Sequence, residues 1–261
     1  MRVFAGPNGS GKSTIINEVK QTKIQGKFVD FGTYINADDI AEELHNGVCR
    51  LQKFDTKASS DEFREIALAS GLVNDEFTVE QFLNCYTLIN NEITLLVPDL
   101  AERLAQIVSD FLRKKLLIER KKFSFETVFS HSSKLDIMRL AVDAGYKVYL
   151  YFVSTESPEI NKYRVEVRVR HGGHNVHPEK IRQRYYRSLD LLFKAAQLSY
   201  QAFFIDNSTD VSEGGRSTKW FAHFKVIKGK KIWDDVDVRE VPEWFKIYYS
   251  AKVPKRRSAR K

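Results

Sequence analysis

The chain has little cysteine, no long apolar run and almost no biased composition, and each shortage removes a class of protein. Cys49 and Cys85 are the only cysteines in 261 residues. They lie far apart and show neither metal nor dithiol spacing, so a disulfide scaffold or zinc module is excluded and a buried, reduced pair is expected. No apolar stretch approaches membrane-spanning length, and no membrane partner is expected. A glycine-rich loop begins at Gly6, so no secretory leader is expected before it. A cytoplasmic location is the expectation. No internal repeat occurs, and the one biased tract is the basic end from Lys252 to Lys261, which reads as a solvated terminus.

What is present is globular. Hydrophobic residues make up 43% and aromatics 12%, with a formal charge of +8. That balance suits a protein handling polyphosphates, nucleic acid or an acidic partner, and does not choose among them.

Gly6, Pro7, Asn8, Gly9, Ser10, Gly11, Lys12, Ser13 and Thr14 form a phosphate-binding P-loop pattern. Glycines let successive backbone N–H groups converge on phosphate oxygens. Lys12 then bridges the β- and γ-phosphates, and the Ser13 hydroxyl takes a Mg²⁺ coordination site. The context fits: Arg2 to Ala5 reads as a buried strand and Ser13 to Lys20 as a helix that adds its dipole. ATP and Mg²⁺ are the expected cofactors.

The remaining pattern alternates strands and helices, as a parallel sheet with crossovers requires. Strands are expected over 32–36, 123–129, 147–153 and 202–205. Helices are expected over 38–45, 100–120, 133–144, 157–170 and 178–199. Residues from about 48 to 99 show helical patterns without strand signals and read as a helical insertion. Trp220 to Trp233 reads as a hairpin turning at Lys228 to Lys231. The expected architecture is therefore an α/β P-loop NTPase fold of kinase type with a mostly parallel central sheet flanked by helices. The core spans 1–210, a hairpin region packed on it spans 211–251, and a basic tail spans 252–261.

Three constellations could act on a bound nucleotide, since open α/β sheets place ligands at the C-terminal ends of their strands. Asn36-Ala37-Asp38-Asp39 follows the second strand, where a carboxylate can take the proton of an attacking hydroxyl; the alternative is that Asp38 caps the next helix. Glu126, followed by Thr127, is a charge in an apolar strand and suits a polar substrate or the magnesium water shell, or else a strand-end ion pair. Arg164, Arg168 and Arg170 on one side of Gly172-Gly173, with Arg182, Arg184 and Arg187 on the other, suit a lid that closes on phosphates. A solvated charged face is the alternative for several of them. His171, His174 and His177 match no zinc spacing. Asp206 has the position of a Walker B aspartate or of a turn beside the nucleotide base.

Taken in order, AGPNGSGKST, INADDIAEEL, FSFETVFSH, AGYKVYLYFVSTESPEIN, RVEVRVRHGGHNVHPEKIRQRYYRSL and FFIDNS resemble the zeta-toxin-like P-loop kinases over residues 1–47 and 100–208. The resemblance implies transfer of the ATP γ-phosphate to a hydroxyl of a small molecule, with UDP-N-acetylglucosamine as the best-known acceptor and an antitoxin as restraining partner. It implies Lys12 and Ser13 on nucleotide and metal, Asp38 as the hydroxyl-activating carboxylate, and Glu126 on substrate, with Thr127 and Ser130 beside it in the same block. Arg164 is then expected on the substrate side, and Arg168, Arg170 and Arg184 on the transferred phosphate. Two other readings remain. One is a nucleic-acid-linked P-loop enzyme such as a polynucleotide end kinase, with Tyr185 and Tyr186 as stacking candidates. The other is a non-catalytic nucleotide-dependent interaction module.

Overall fold

The computed structural model describes residues 1–173, 175–209 and 218–254. His174 and most of the basic tail lie outside the described residues. The chain divides into two compact units, one formed by residues 1–30 with 127–261, the other by residues 31–126.

The first unit opens with β1 (Arg2–Ala5), buried after its first residue. The P-loop follows and leads into α1 (Lys12–Gln21), whose Ile15, Ile16 and Val19 turn inward. A short hairpin, β2 (Lys23–Ile24) with β3 (Lys27–Phe28), comes next. It turns at Gln25-Gly26, both at positive φ, the geometry of a two-residue hairpin loop. Its strands are too short for an alternation signal, which is why the sequence pattern does not show it.

The second unit begins with β4 (Thr33–Ile35) and α2 (Ala37–His45). Then come β5 (Val48–Arg50), α3 (Ser60–Leu68), α4 (Val79–Asn84), β6 (Tyr86–Ile89) and β7 (Glu92–Leu95). The long α5 (Ala101–Ile118) and β8 (Phe123–Thr127) close it. β4 and β8 pair in parallel, with Tyr34 opposite Ser124. The segment 48–99 contains the expected helices, but it also contains a three-stranded antiparallel sheet in the order β5-β7-β6. A purely helical insertion is therefore corrected. The strands are three or four residues long and the β6–β7 turn at Asn90-Asn91 has positive φ at both residues, so the turn chemistry rather than periodicity was the available signal. Thr78 and Gln81 form a reciprocal capping box that starts α4, and Ser59 caps α3, fixing both helix starts. Phe63, Phe82, Tyr86 and Phe111 pack ring on ring, the Phe63–Phe111 centroids 5.1 Å apart. This unit thus has its own aromatic core, with both cysteines buried. Burial pushes the Cys49 thiol up to about 12 and Cys85 up to about 11, which keeps both protonated and unreactive.

The chain then returns to the first unit through α6 (Ser133–Asp143), β9 (Tyr149–Ser154), α7 (Pro158–Arg170), α8 (Pro178–Gln197) and β10 (Gln201–Asp206). β11 (Lys219–Ile227), β12 (Lys230–Trp233) and α9 (Glu243–Tyr248) finish it. β1, β9 and β10 are parallel neighbours. β9 is almost wholly buried, as a central parallel strand must be, and its continuous apolar run reflects that. The hairpin extends the sheet of this unit, with β11 antiparallel to β10 and β12 antiparallel to β11. α9 covers one face there, burying Trp244 and Phe245 against Phe152, Phe204 and Phe221. Each such side chain contributes roughly 1.5–3 kcal/mol by leaving water.

Candidate nucleotide-binding site and carboxylate cleft

In the first unit, the P-loop runs from the buried end of β1 into α1. α1 has Gly11 as N-cap in the left-handed region, no capping side chain and no acid in its first turn. With no side chain capping this helix start, the helix dipole favours an anion there. Two glycines are required by contact as well as by φ. A Cβ on Gly9 would lie 2.6 Å from the Asn161 carbonyl oxygen, and one on Gly11 would lie 2.1 Å from Asn207 Nδ2. Only glycine lets the loop approach its supports this closely.

Those supports are three polar side chains. Asn161 of α7 is fully buried; its Nδ2 donates to the Asn8 carbonyl and its Oδ1 accepts from the Thr155 hydroxyl. Asn207, just past β10, donates to the Ser10 carbonyl at 2.8 Å. Arg184 of α8 donates to Asn8 Oδ1 at 3.3 Å. Lys12 is buried, and its ammonium donates to the Pro7 carbonyl at 3.1 Å, so it is already held across the mouth of the loop. Ser13 and Thr14 are exposed on the first turn of α1. The Ser10 hydroxyl is buried without a hydrogen-bond partner. A glycine cradle, an uncapped helix start, a lysine and an orphaned hydroxyl together fit a polyphosphate, and the Ser13 hydroxyl fits a hard cation bound beside it.

The arginines divide. Arg184 reaches the loop. Arg164 instead donates to the carbonyls of Asn207 and Thr209, at 2.6 and 3.1 Å, fastening α7 to the segment that carries the Asn207 brace. Arg168 and Arg170 are exposed on the last turn of α7. α7 and α8 pack through Val165, Val176 and Ile181. His171 hydrogen-bonds the Val167 carbonyl and His177 accepts from Glu179 N–H as N-cap of α8, so both imidazoles serve helix ends. Asp206 accepts from Trp244 Nε1 and the Ser208 hydroxyl, at 2.9 and 2.8 Å, which makes it the base of a turn. Tyr185 is buried with its hydroxyl on the Thr155 carbonyl at 2.6 Å. It is closed off to a stacking base, leaving only Tyr186 exposed. The Thr127 hydroxyl accepts from Phe129 N–H at 3.1 Å and ends β8, and Ser130 is half-buried in the following loop.

In the second unit, Asn36 rather than Asp38 caps α2: its Oδ1 accepts from Asp38 N–H at 3.1 Å, while its Nδ2 donates to Asp39 Oδ1 at 2.9 Å. Asp38 is exposed on that first turn and carries no capping duty. A cleft of about 420 Å³ lies beside it, lined by Gly32, Thr33, Tyr34, Asn36, Asp39, Ile40, Lys53 and Phe54. Tyr34 donates to Glu126 Oε2 at 3.3 Å. Burial first, then the Glu126 and Asp39 charges, push the Tyr34 phenol well above its ordinary value, so it stays a donor. Desolvation in the cleft, and next the Glu126 carboxylate, raise Asp39. Lys53 is paired with Glu43. The cleft therefore presents the Asp39 carboxylate and the Tyr34 phenol, groups that bind and activate hydroxyls, while Asp38 and Glu126 are not among its lining residues.

Sequence reasoning missed Asn161, Asn207 and Tyr34. The two asparagines end the blocks SPEIN and FFIDN, and a polar residue just past a buried strand or opening a buried helix face was the usable sign. No family model matches the chain, and no curated protein matches it in sequence. Among solved structures it is similar to AvrRxo1-ORF1:AvrRxo1-ORF2 with sulphate ions, at 12% identity and TM-score 0.48, over 100% of this chain and 65% of that one. It is similar to AvrRxo1-ORF1:-ORF2 with ATP at 12% identity and TM-score 0.49, over 95% and 63%. It is also similar to a chain from the PezAT chromosomal toxin–antitoxin system of Streptococcus pneumoniae, at 18% identity and TM-score 0.41, over 83% and 74%. The chain thus spans about two thirds or less of the AvrRxo1 chains it matches. What its own residues define is an α/β fold with a P-loop and a mostly parallel sheet flanked by helices.

Proposed function

We propose that the chain is an ATP-dependent kinase of zeta-toxin type that transfers the γ-phosphate to a hydroxyl of a small molecule. A UDP-amino sugar is the acceptor, and an antitoxin the restraining protein, that the sequence resemblance implies. The observation that carries the reading is the P-loop: an uncapped α1 start, braced by Asn161, Asn207 and Arg184 and holding Lys12 ready for phosphate.

Bound Mg²⁺ would neutralise charge on the phosphates, with the Ser13 hydroxyl as its protein ligand. Lys12 leaves the Pro7 carbonyl for the β/γ-phosphate oxygens, and Arg184 supplies charge beside the loop. Asp38 takes the proton of the acceptor hydroxyl as the hydroxyl oxygen bonds to the γ-phosphorus and the bond to ADP breaks. Glu126, held by Tyr34, orients the acceptor. Arg168 and Arg170 add charge if the α7–α8 hairpin draws toward the phosphates.

Asp38→Asn keeps size and helix start, because Asn36 is the cap. It should leave ATP affinity unchanged and lower kcat by roughly 10²-fold or more, the usual worth of a general base. Asp39→Asn is the control and should retain turnover. The reverse pattern moves the base to Asp39, which lines the cleft; normal turnover in both variants ends the mechanism.

A further inference from the structure

A second cleft of about 420 Å³ lies in the first unit, includes no residue of the P-loop or its braces, and is lined by Phe203, Trp220, Phe221, Ala222, His223, Asp234 and Asp235. It sits at the end of a row of rings that crosses the sheet. Phe4 stacks on Tyr151 at 4.7 Å, Tyr151 on Phe203 at 4.7 Å, and Phe203 on His223 at 4.4 Å. The row ends at His223, whose Nδ1 lies 2.8 Å from Asp234 Oδ2 and whose Nε2 lies 2.7 Å from Gln201 Nε2. With the ring proton on Nδ1, both contacts are satisfied and the imidazole is locked.

Trp220 stands across this row, edge-on to Phe203 at 5.8 Å and to Tyr151 at 6.2 Å. Its Nε1 donates to Glu18 Oε2 at 3.3 Å. An indole held by Phe203, Tyr151 and Glu18 yet 43% exposed has its orientation fixed while part of it stays in solvent. Packing alone does not call for that arrangement, because a free tryptophan face costs hydrophobic free energy.

Charge selects the occupant. The chain carries +8, yet among the described residues the cleft lining holds two carboxylates and no lysine or arginine. The lysine nearest by register on this face, Lys225, stands opposite Ile232, outside the lining. An aromatic face beside a carboxylate is the environment that a planar cation prefers: it stacks on the ring and pairs with the acid. The adjoining edge is open rather than enclosed, since Ile232 is 51% exposed on β12, the outermost strand of the sheet among the described residues. A side chain arriving on a polypeptide would cover both.

We propose that the Trp220–Asp234–Asp235 cleft receives an arginine side chain presented by a partner protein. The guanidinium stacks on Trp220 and pairs with Asp234 and Asp235, and the flanking backbone lies along the β12 side.

The test is fluorescence anisotropy on the full chain with a labelled pentapeptide holding one arginine between valines. The same peptide with citrulline is the comparison, being isosteric and uncharged. The arginine peptide should bind at least tenfold tighter than the citrulline peptide. Asp235→Asn leaves the His223–Asp234 contact in place and should remove most of that preference without changing the thermal midpoint; Trp220→Ala should also remove the preference, with a lower thermal midpoint because its contacts with Tyr151, Phe203 and Glu18 are lost as well. Lys12→Ala should bind the peptide normally, which separates this site from the nucleotide site. Equal affinity for the two peptides, or no loss in Asp235→Asn, overturns the proposal. So does free arginine amide competing as well as the peptide, which would mark a metabolite site. Peptide binding that emerges only on removing residues 255–261 would make the chain's own tail the occupant, and also overturns it.

Discussion

Replacing Gly11 with alanine isolates how tightly the P-loop is wedged against its brace. Gly11 has φ of 92°, and holding an alanine in the left-handed region costs about 1–2 kcal/mol. The added Cβ also meets Asn207 Nδ2 at 2.1 Å, with Cγ at 3.3 Å and Cβ at 4.0 Å. The amide must move, breaking its bond to the Ser10 carbonyl and stranding a group that is only 5% exposed, for about 1–3 kcal/mol more. Gly11→Ala should therefore lose about 2–5 kcal/mol in chemical denaturation. Asn207→Ala alone should lose about 1–3 kcal/mol. In the double variant the clash is absent, because only the alanine Cβ remains at the ordinary contact distance of 4.0 Å. Its loss should thus fall short of the sum of the singles by about 1–3 kcal/mol, the steric part being counted once. Strict additivity would show that Asn207 is not the wedge, and an unaffected Gly11→Ala would refute the loop geometry.

Two further outcomes follow from the same contacts. If Arg168, Arg170 and Arg184 close on phosphates, amides over 160–190 should gain hydrogen-exchange protection with a non-hydrolysable ATP analogue, while equal protection would leave Arg168 and Arg170 as surface charge. Asp39 has a raised pKa, so the folded chain disfavours its ionised form and the resulting penalty is present above the folded pKa, shrinking as pH falls through it. Asp39→Asn should be more stable than the parent at pH 7.5, with the difference closing toward the ordinary aspartate range; a difference that does not vary with pH would rule out a raised Asp39 pKa, whether from desolvation or from Glu126.

The legible parts of this chain are those written in long periods or in obligatory chemistry. α5 shows its buried stripe of Leu104, Ile107, Val108, Phe111, Leu112 and Leu116 at helical spacing, and β9 shows an unbroken apolar run, because burial on both faces demands it. The P-loop is legible because only glycines fit its contacts. β5, β6 and β7 were not, since three or four residues hold too few side chains to establish a period of two. The capping of α2 was ambiguous because Asn36 and Asp38 are both good caps; only the direction of the Asp38 N–H decides. Arg164 and Arg184 look alike in sequence, each one of several arginines on a helix. One grips backbone carbonyls and the other reaches Asn8, a difference set by where α7 and α8 pack rather than by local pattern.

The proposed activity is phosphoryl transfer from ATP to a small-molecule hydroxyl. Its most direct test is incubation of the full chain with ATP labelled in the γ-phosphate and a metabolite extract spiked with UDP-amino sugars, followed by chromatography of the small molecules. A labelled, acid-stable phosphomonoester is expected with the parent chain and none with Lys12→Ala, folded and matched in concentration. Label released only as inorganic phosphate, or the same product from Lys12→Ala, would contradict it.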